Sequence, residues 1–178
     1  MKVSLKLKNA NIEKLLGELV ILIDTREQKN KHITDYFDKR GIKYKTQKLD
    51  FGDYSCMLPK NESLGLPFDI TLENVIAIEK KNSLEEVAGN FTNGRQAFEN
   101  EFIRSQKCKR FVLLIENGSW DKIRKKQYEH DFGNKAFYNS LLSWSEKYNF
   151  RVDFVEREAT PLHILEILKL ALKHCLEE

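Results

Sequence analysis

Apolar and polar positions follow two kinds of pattern along the chain, and these patterns predict its strands and helices. Short apolar runs with β-branched residues and polar flanks are typical of strands buried in a sheet. The predicted strands cover residues 20–23, 42–48, 53–58, 75–81, 111–116 and 151–155, with a further short strand within residues 1–8. Helical spacing predicts helices over residues 11–19, 31–40, 84–105, 134–148 and 160–178, a break near residues 89–94, and a short helix after residue 119.

The order of these elements predicts a single α/β domain in which helices flank a mixed central sheet. The chain has 178 residues and is 41% hydrophobic, which is enough to bury one core. No repeat, low-complexity tract or linker divides the sequence. We therefore expect one domain over residues 1–178, with residues 134–178 completing the core.

One predicted strand ends in Glu79, Lys80 and Lys81. Because side chains alternate along a strand, Glu79 and Lys81 share one face and Lys80 points to the other. A carboxylate beside an amine suits metal-dependent hydrolysis of a phosphodiester, since the carboxylate can hold a hard cation and the amine can orient water. Asp53, directly after Gly52, is the best candidate for the second carboxylate. The alternative is a solvated strand end without chemistry.

Two other groups of charged residues lie where chemistry is expected. Asp24, Arg26 and Glu27 follow the first long strand, at the kind of strand end where open α/β sheets commonly place their sites. Arg26 could contact a phosphate, or it could form a salt bridge within the loop. Arg95 follows the predicted helix break and could reach a DNA phosphate, or it could be a surface arginine after a capping glycine.

The net charge of +3 is too small to indicate nucleic-acid binding by itself. The basic residues are concentrated, however, with seven against two acidic residues in 29–48 and eight against two in 104–126. Beside a metal site, such stretches favour a track for a phosphate backbone, although a solvated surface is the alternative.

The cysteines and the hydropathy bear on the compartment. Cys56, Cys108 and Cys175 are far apart and form no Cys-x-x-Cys pair, which argues against a zinc site and favours a reducing compartment. No apolar run approaches the length of a membrane span. We therefore expect an intracellular protein without a membrane partner, cytoplasmic if the source is prokaryotic or viral.

Residues 20–116 resemble the nuclease domain of the XPF family of structure-specific DNA endonucleases, a branch of the PD-(D/E)XK superfamily. The family pattern is Gly-Asp, then at a distance Glu-Arg-Lys-x-x-x-Asp. This chain has Gly52-Asp53, then Glu79-Lys80-Lys81, then Glu85. Three flanking features match in the same order: Ile21-Leu22-Ile23-Asp24-Thr25-Arg26-Glu27, Gly94-Arg95, and the strand over residues 111–116.

The resemblance implies the restriction-endonuclease-like fold and an endonuclease that uses Mg²⁺ or Mn²⁺. The implied catalytic residues are Asp24, Glu27, Asp53, Glu79 and Lys81, of which Asp24, Asp53 and Glu79 would hold the metal. The predicted DNA contacts are Arg26, Lys80 and Arg95.

The chain departs from the family at four points, one of which is the long segment over residues 59–74 between the two strands that carry Asp53 and Glu79. Lys80 stands where the family has arginine, so the planar fork that grips a phosphate is lost. Glu85 replaces the final aspartate, and it could instead belong to the first turn of a helix capped by Ser83. The family's tandem helix-hairpin-helix domain is missing, so the substrate is less determined than the chemistry.

The expected substrate is branched DNA, such as a flap, a fork or a junction. A Holliday junction resolvase, a non-catalytic DNA-binding partner of a nuclease, and a nuclease acting on RNA or single strands are the alternatives. Residues 59–74 contain two prolines and a glycine and are expected to form a surface loop that could cover the site as a flap. The last helix is more apolar than packing on one sheet requires, and XPF relatives pair through their nuclease domains, so we expect a homodimer through the C-terminal helices.

Overall fold

A computed structural model describes residues 9–177. The strands are β1 (Val20–Asp24), β2 (Tyr44–Gln47), β3 (Tyr54–Leu58), β4 (Ile70–Thr71), β5 (Ile76–Lys81), β6 (Arg110–Glu116) and β7 (Phe150–Val155). The α-helices are α1 (Asn9–Leu16), α2 (Lys31–Arg40), α3 (Leu84–Thr92), α4 (Arg95–Ser105), α5 (Trp120–Arg124), α6 (Asn134–Tyr148) and α7 (Thr160–Glu177). The strand predicted within residues 1–8 lies outside the described residues.

All seven strands belong to one mixed sheet, in the order β2-β1-β3-β5-β6-β7, with β4 paired to β3 beside this path. β3 runs antiparallel to β1 and β5, whereas β1 with β2, β5 with β6, and β6 with β7 are parallel. The predicted fold class, a mixed sheet flanked by helices in one domain, is confirmed. The order and directions of the strands place the start of β3 between the ends of β1 and β5.

Helices cover both faces of the sheet and bury two apolar cores. The first core joins the sheet to α1, α2 and α7 through side chains such as Phe37 and Leu168. The second joins it to α3, α4 and α6 through Phe91, Phe102 and Phe137. Fully burying one such side chain stabilises the fold by about 1.5–3 kcal/mol, so both cores hold the helices firmly on the sheet.

Local sequence signals explain several helix ends. The Ser83 and Ser119 side chains accept hydrogen bonds from the main-chain N–H groups of Glu86 and Lys122, which fixes the starts of α3 and α5. Gly41 ends α2 with a φ of 64°, in the left-handed region where glycine is favoured. Across residues 9–177, no helix combines the length and the apolar character needed to cross a membrane.

Residues 59–74 do not form the expected flap. They contain a 3-10 helix at Glu62–Leu64 and β4, which pairs with Met57 and Leu58 at the end of β3 away from Asp53. Leu66 is fully buried in the core beneath α1. Burial of this leucine holds the segment at the opposite end of the sheet, so the prediction of a cover over the site is wrong.

Candidate active site

The strand pairing brings the predicted carboxylates to one end and one face of the sheet. Asp24 ends β1, Asp53 immediately precedes β3, and Glu79 lies in β5. The residues next to them along the strands belong to the core beneath α2 and α7: Ile23, Tyr54 and Ile78. Because side chains alternate, the three carboxylates point to the opposite face.

A glycine permits the close approach of β3 to β5. Gly52 has a φ of 65°, and a Cβ atom there would lie 2.8 Å from the carbonyl oxygen of Ile78. The next residue, Asp53, donates its N–H to that oxygen at 2.7 Å, and its Oδ2 accepts the N–H of Lys80 at 2.8 Å. Asp53 is therefore fixed between the two strands, and only glycine fits before it.

The environment of Asp53 disfavours its negative charge. Burial and the nearby Glu79 carboxylate raise the pKa of Asp53 well above its usual range, against the lowering effect of the Lys80 N–H. A hard divalent cation prefers such oxygen ligands and would relieve the repulsion between them. Across residues 9–177, no group of three or more Asp, Glu, His or Cys side chains is arranged to hold a metal. Asp53 and Glu79 are two oxygen ligands of this kind, and a cation such as Mg²⁺ usually keeps several of its waters.

Lys81 lies beside these carboxylates, as the alternation predicted. Its Nζ atom is 2.7 Å from Glu79 Oε1, and its side chain is 9% exposed. Burial lowers the pKa of Lys81, but Glu79 and Glu101 outweigh burial and raise it. The amine is therefore a charged hydrogen-bond donor rather than a base.

Glu101 of α4 is a site residue that the sequence reasoning missed. Its Oε2 atom lies 3.8 Å from Lys81 Nζ and is buried without a hydrogen-bond partner among the described residues. Burial and the Glu79 charge raise the pKa of Glu101 to about 7. A signal for it exists, because Glu101 falls at helical spacing on the same stripe as the buried Phe98 and Phe102.

Asp24 has a different environment from the other carboxylates. Its Oδ1 accepts hydrogen bonds from N and Nε of Arg26, and its Oδ2 accepts from Arg26 Nη2 and from the N–H of Leu49. Burial raises the pKa of Asp24, but these hydrogen bonds outweigh it and lower the pKa. Both oxygens are engaged, so the geometry favours an anchor for Arg26 over the predicted metal ligand.

Glu27 and Lys80 pair with each other rather than with the group formed by Glu79, Lys81 and Glu101. Lys80 Nζ donates to Asn82 Oδ1 at 2.7 Å and lies 3.8 Å from Glu27 Oε2. The Lys80 side chain is 0% exposed, so the predicted DNA contact there needs correction: no side-chain atom is accessible to a phosphate. The Glu27 charge raises the pKa of Asp53 as a smaller contribution, so Glu27 influences the site without an observed contact to Glu79.

Arg95 and Glu85 lie away from the carboxylates. The exposed Arg95 guanidinium stacks 4.9 Å from the ring centroid of Trp144 and does not line the cleft at Asp53. Glu85 Oε1 accepts the N–H of Glu129 at 3.0 Å, which favours the structural alternative for Glu85.

The cleft itself has a volume of about 140 Å³. Its walls include Asp53, Glu79 and Glu101, together with two exposed arginines, Arg26 and Arg104. The Arg26 side chain is 63% exposed. Acidic groups at the base and cations at the rim suit a substrate whose phosphates meet the arginines before they reach the carboxylates.

Comparisons with known proteins bear on the family and the fold of this chain. Residues 23–168 match the ERCC4 domain. The structure is similar to XPF from Aeropyrum pernix, with 16% identity and a TM-score of 0.61, over 85% of this chain and 61% of that chain. It is also similar to XPF from Aeropyrum pernix in complex with DNA, with 16% identity and a TM-score of 0.60, over 87% of this chain and 66% of that one.

The chain thus spans less than two thirds of the length of these two solved chains. The comparison with curated proteins found no match. The structural likeness, at this identity, supports the fold, and the match to the ERCC4 domain covers most of the sequence. The resemblance inferred from the sequence motifs is confirmed.

Proposed function

Since the chain belongs to the ERCC4 domain family, we propose that it is a metal-dependent endonuclease that hydrolyses phosphodiester bonds in branched DNA. One observation carries the proposal: Asp53 and Glu79 line one cleft with Arg26 and Arg104 at its rim, and Lys81 contacts Glu79 at 2.7 Å. Carboxylates, an ammonium group and exposed guanidinium groups are the components that metal-assisted phosphodiester hydrolysis requires.

Asp53 and Glu79 would hold Mg²⁺ or Mn²⁺. When bound, the cation supplies the positive charge that lowers the pKa of water and stabilises charge developing on the phosphate. The raised pKa of Asp53 supports this assignment, because a bound cation would favour the charged carboxylate that burial and Glu79 oppose. Asp24 then serves by fixing Arg26, since its own oxygens are already bonded.

Lys81 would act as a charged donor. Its hydrogen bond to Glu79 keeps the ammonium group beside the carboxylate that would bind metal, where it can orient water or neutralise charge on a phosphate oxygen. Arg26 and Arg104 would contact the DNA backbone at the rim. Arg95, exposed and outside the cleft, would be a more distant backbone contact.

A homodimer through the C-terminal part of the chain is also proposed. β7 is the last strand of the sheet, and within residues 9–177 no strand pairs with its outer edge. On α7, Leu162 and Leu170 are 43% and 57% exposed. An open strand edge next to exposed leucines is typical of a surface covered by another chain.

The charges along this edge complement each other. A groove of about 440 Å³ between β7 and α7 is lined by Lys109, Arg110 and His174. The adjoining groove, of about 510 Å³, is lined by Asp153 and Glu166 and also by Arg151 and His163, which both pair with Asp153 within the chain. A two-fold axis across β7 would bring the basic groove of one copy to the groove that contains Glu166 in the other, since such an interface exchanges its two ends.

The test is cleavage of labelled duplex, single-stranded, flap, fork and four-way-junction DNA with Mg²⁺, Mn²⁺ or EDTA. We expect metal-dependent nicks in the branched forms and a loss of about 100-fold or more in Asp53→Ala and Glu79→Ala, with DNA binding largely retained. Glu146→Gln, an exposed carboxylate on α6, is the control and should cut normally.

The same assay separates the alternatives. Symmetric paired nicks confined to four-way junctions would identify a resolvase, and preferred cutting of RNA or single strands would identify a different substrate class. DNA binding without cleavage in every metal would contradict the proposal and indicate a non-catalytic partner.

A further inference from the structure

Lys81 and Glu101 face each other with unused hydrogen-bonding capacity. An ammonium group has three donors, and among the described residues Lys81 uses one of them, toward Glu79 Oε1 at 2.7 Å. Glu101 Oε2 is buried, lacks a hydrogen-bond partner in the described part of the chain, and lies 3.8 Å from the same nitrogen. A buried carboxylate oxygen without a donor is uncommon and calls for a reason.

The reason follows from the two roles of Glu79. A carboxylate that turns toward a cation weakens its hydrogen bond to Lys81. We propose that Glu101 is a positioning residue that holds the Lys81 ammonium group beside the carboxylates of the cleft when Glu79 binds the cation. This inference rests on the proposed function, because that function gives Glu79 its second partner.

Lys81 would need to move only a little to exchange Glu79 for Glu101 as its hydrogen-bond partner. Lys81 Nζ lies 5.3 Å from the ring centroid of Phe98, which is one helical turn before Glu101 on α4. Phe98 and Phe102 are buried and hold α4 against the sheet. A shift of about 1 Å between Nζ and Oε2 would convert their ion pair into a charge-assisted hydrogen bond.

The first test measures Lys81 directly and needs no DNA. Lys81 acetylation by acetic anhydride is followed by mass spectrometry with and without Mg²⁺. We expect slow labelling of the wild type in both conditions, whereas Mg²⁺ should speed labelling of Lys81 several-fold in Glu101→Gln. Glu99→Gln is the matched control, because Glu99 lies on the same helix but pairs with Lys147.

The second test measures cleavage. Glu101→Gln should lower kcat by about 10- to 100-fold with little change in KM for DNA, and Glu101→Asp should restore part of the rate because it keeps the charge. Equal Lys81 labelling in the wild type and Glu101→Gln with Mg²⁺, or a wild-type kcat in Glu101→Gln, would overturn the inference. If the labelling responds as expected but the wild type cuts no DNA, the proposed function fails while the positioning role stands.

Discussion

Asp53 is held where its negative charge is unfavourable, and this has a measurable effect on the metal-free protein. Burial and Glu79 raise the pKa of Asp53. As pH rises above the ordinary range of an aspartate, the unfolded chain releases this proton while the folded chain retains it, so stability falls. Asp53→Asn removes the titration and keeps an oxygen that can accept the Lys80 N–H.

We therefore expect Asp53→Asn to raise the free energy of unfolding by about 1–3 kcal/mol at pH 8, with the difference shrinking toward pH 4. Mg²⁺ should stabilise the wild type and leave the variant unchanged. Thermal unfolding across pH, with and without Mg²⁺, measures both effects, and the exposed Asp121→Asn is the control. A variant less stable than the wild type at pH 8 would contradict the assigned role.

At this scale the sequence predicted the motif residues better than their environments. The alternation of β5 predicted that Glu79 and Lys81 meet, and the structure joins them at 2.7 Å. The sequence did not predict that both Asp24 oxygens already accept hydrogen bonds. One of the donors is the N–H of Leu49, which belongs to a distant part of the chain. Glu101 was missed because the helical pattern shows only that it lies on the same stripe as Phe98 and Phe102, whereas its contact with Lys81 depends on how α4 packs on the sheet.

At the scale of elements, an ion-pair cluster around the buried Glu116 joins three separate segments of the chain. Glu116, at the end of β6, is fully buried and contacts His32 of α2 at 2.6 Å and Arg157, before α7, at 2.8 Å. Arg157 Nη2 is 3.1 Å from His32 Nδ1. Because arginine only donates, His32 Nδ1 accepts this hydrogen bond, and Nε2–H donates to Glu116.

Removing Glu116 should therefore loosen the attachment of two helices. We expect Glu116→Ala to lower the free energy of unfolding by about 1.5–3 kcal/mol, since the buried carboxylate loses its charge-assisted hydrogen bonds to His32 and Arg157. Urea unfolding is the measurement, and Glu158→Gln is the control, because Glu158 is exposed in the same 3-10 turn as Arg157. A loss no larger than that of the control would contradict this role.

Elements with strong local signals were predicted to within a few residues, and those determined by distant contacts were not. Residues 31–40 and 134–148 form α2 and α6 with the predicted bounds. Residues 59–74 were mispredicted because proline and glycine indicate turns but do not reveal that Leu66 is buried.

At the scale of the whole molecule, the sheet order explains both the site and the open edge. β3, antiparallel between β1 and β5, brings Asp53 to Glu79, while β2 and β7 are left as the two outer strands. The class of the sheet could be predicted from its element pattern. The order of the strands could not, because pairing between distant segments depends on tertiary packing.

The open edge of β7 and α7 gives the last prediction. Leu170 lines both adjoining grooves, which lie at the proposed two-fold interface. A charge at this residue should therefore disrupt the dimer. In light scattering at micromolar concentration we expect the wild type at twice the chain mass of 21.0 kDa and Leu170→Glu at the chain mass itself. Phe68→Glu, at an exposed phenylalanine near β4 on another part of the sheet, should remain dimeric.

Charge exchange then tests the orientation of the two copies. In an antiparallel arrangement about Val152, Arg151 of one copy faces Asp153 of the other, because the contact is reciprocal. Because Arg151 also pairs with Asp153 of its own chain at 2.7 Å, the two changes are placed on separate chains. Arg151→Asp and Asp153→Arg should each weaken the dimer alone, and mixing the two variants should restore it, as measured by sedimentation. A wild type that stays at 21.0 kDa would exclude the dimer at these concentrations. A dimer insensitive to Leu170→Glu would place the interface away from the grooves that Leu170 lines.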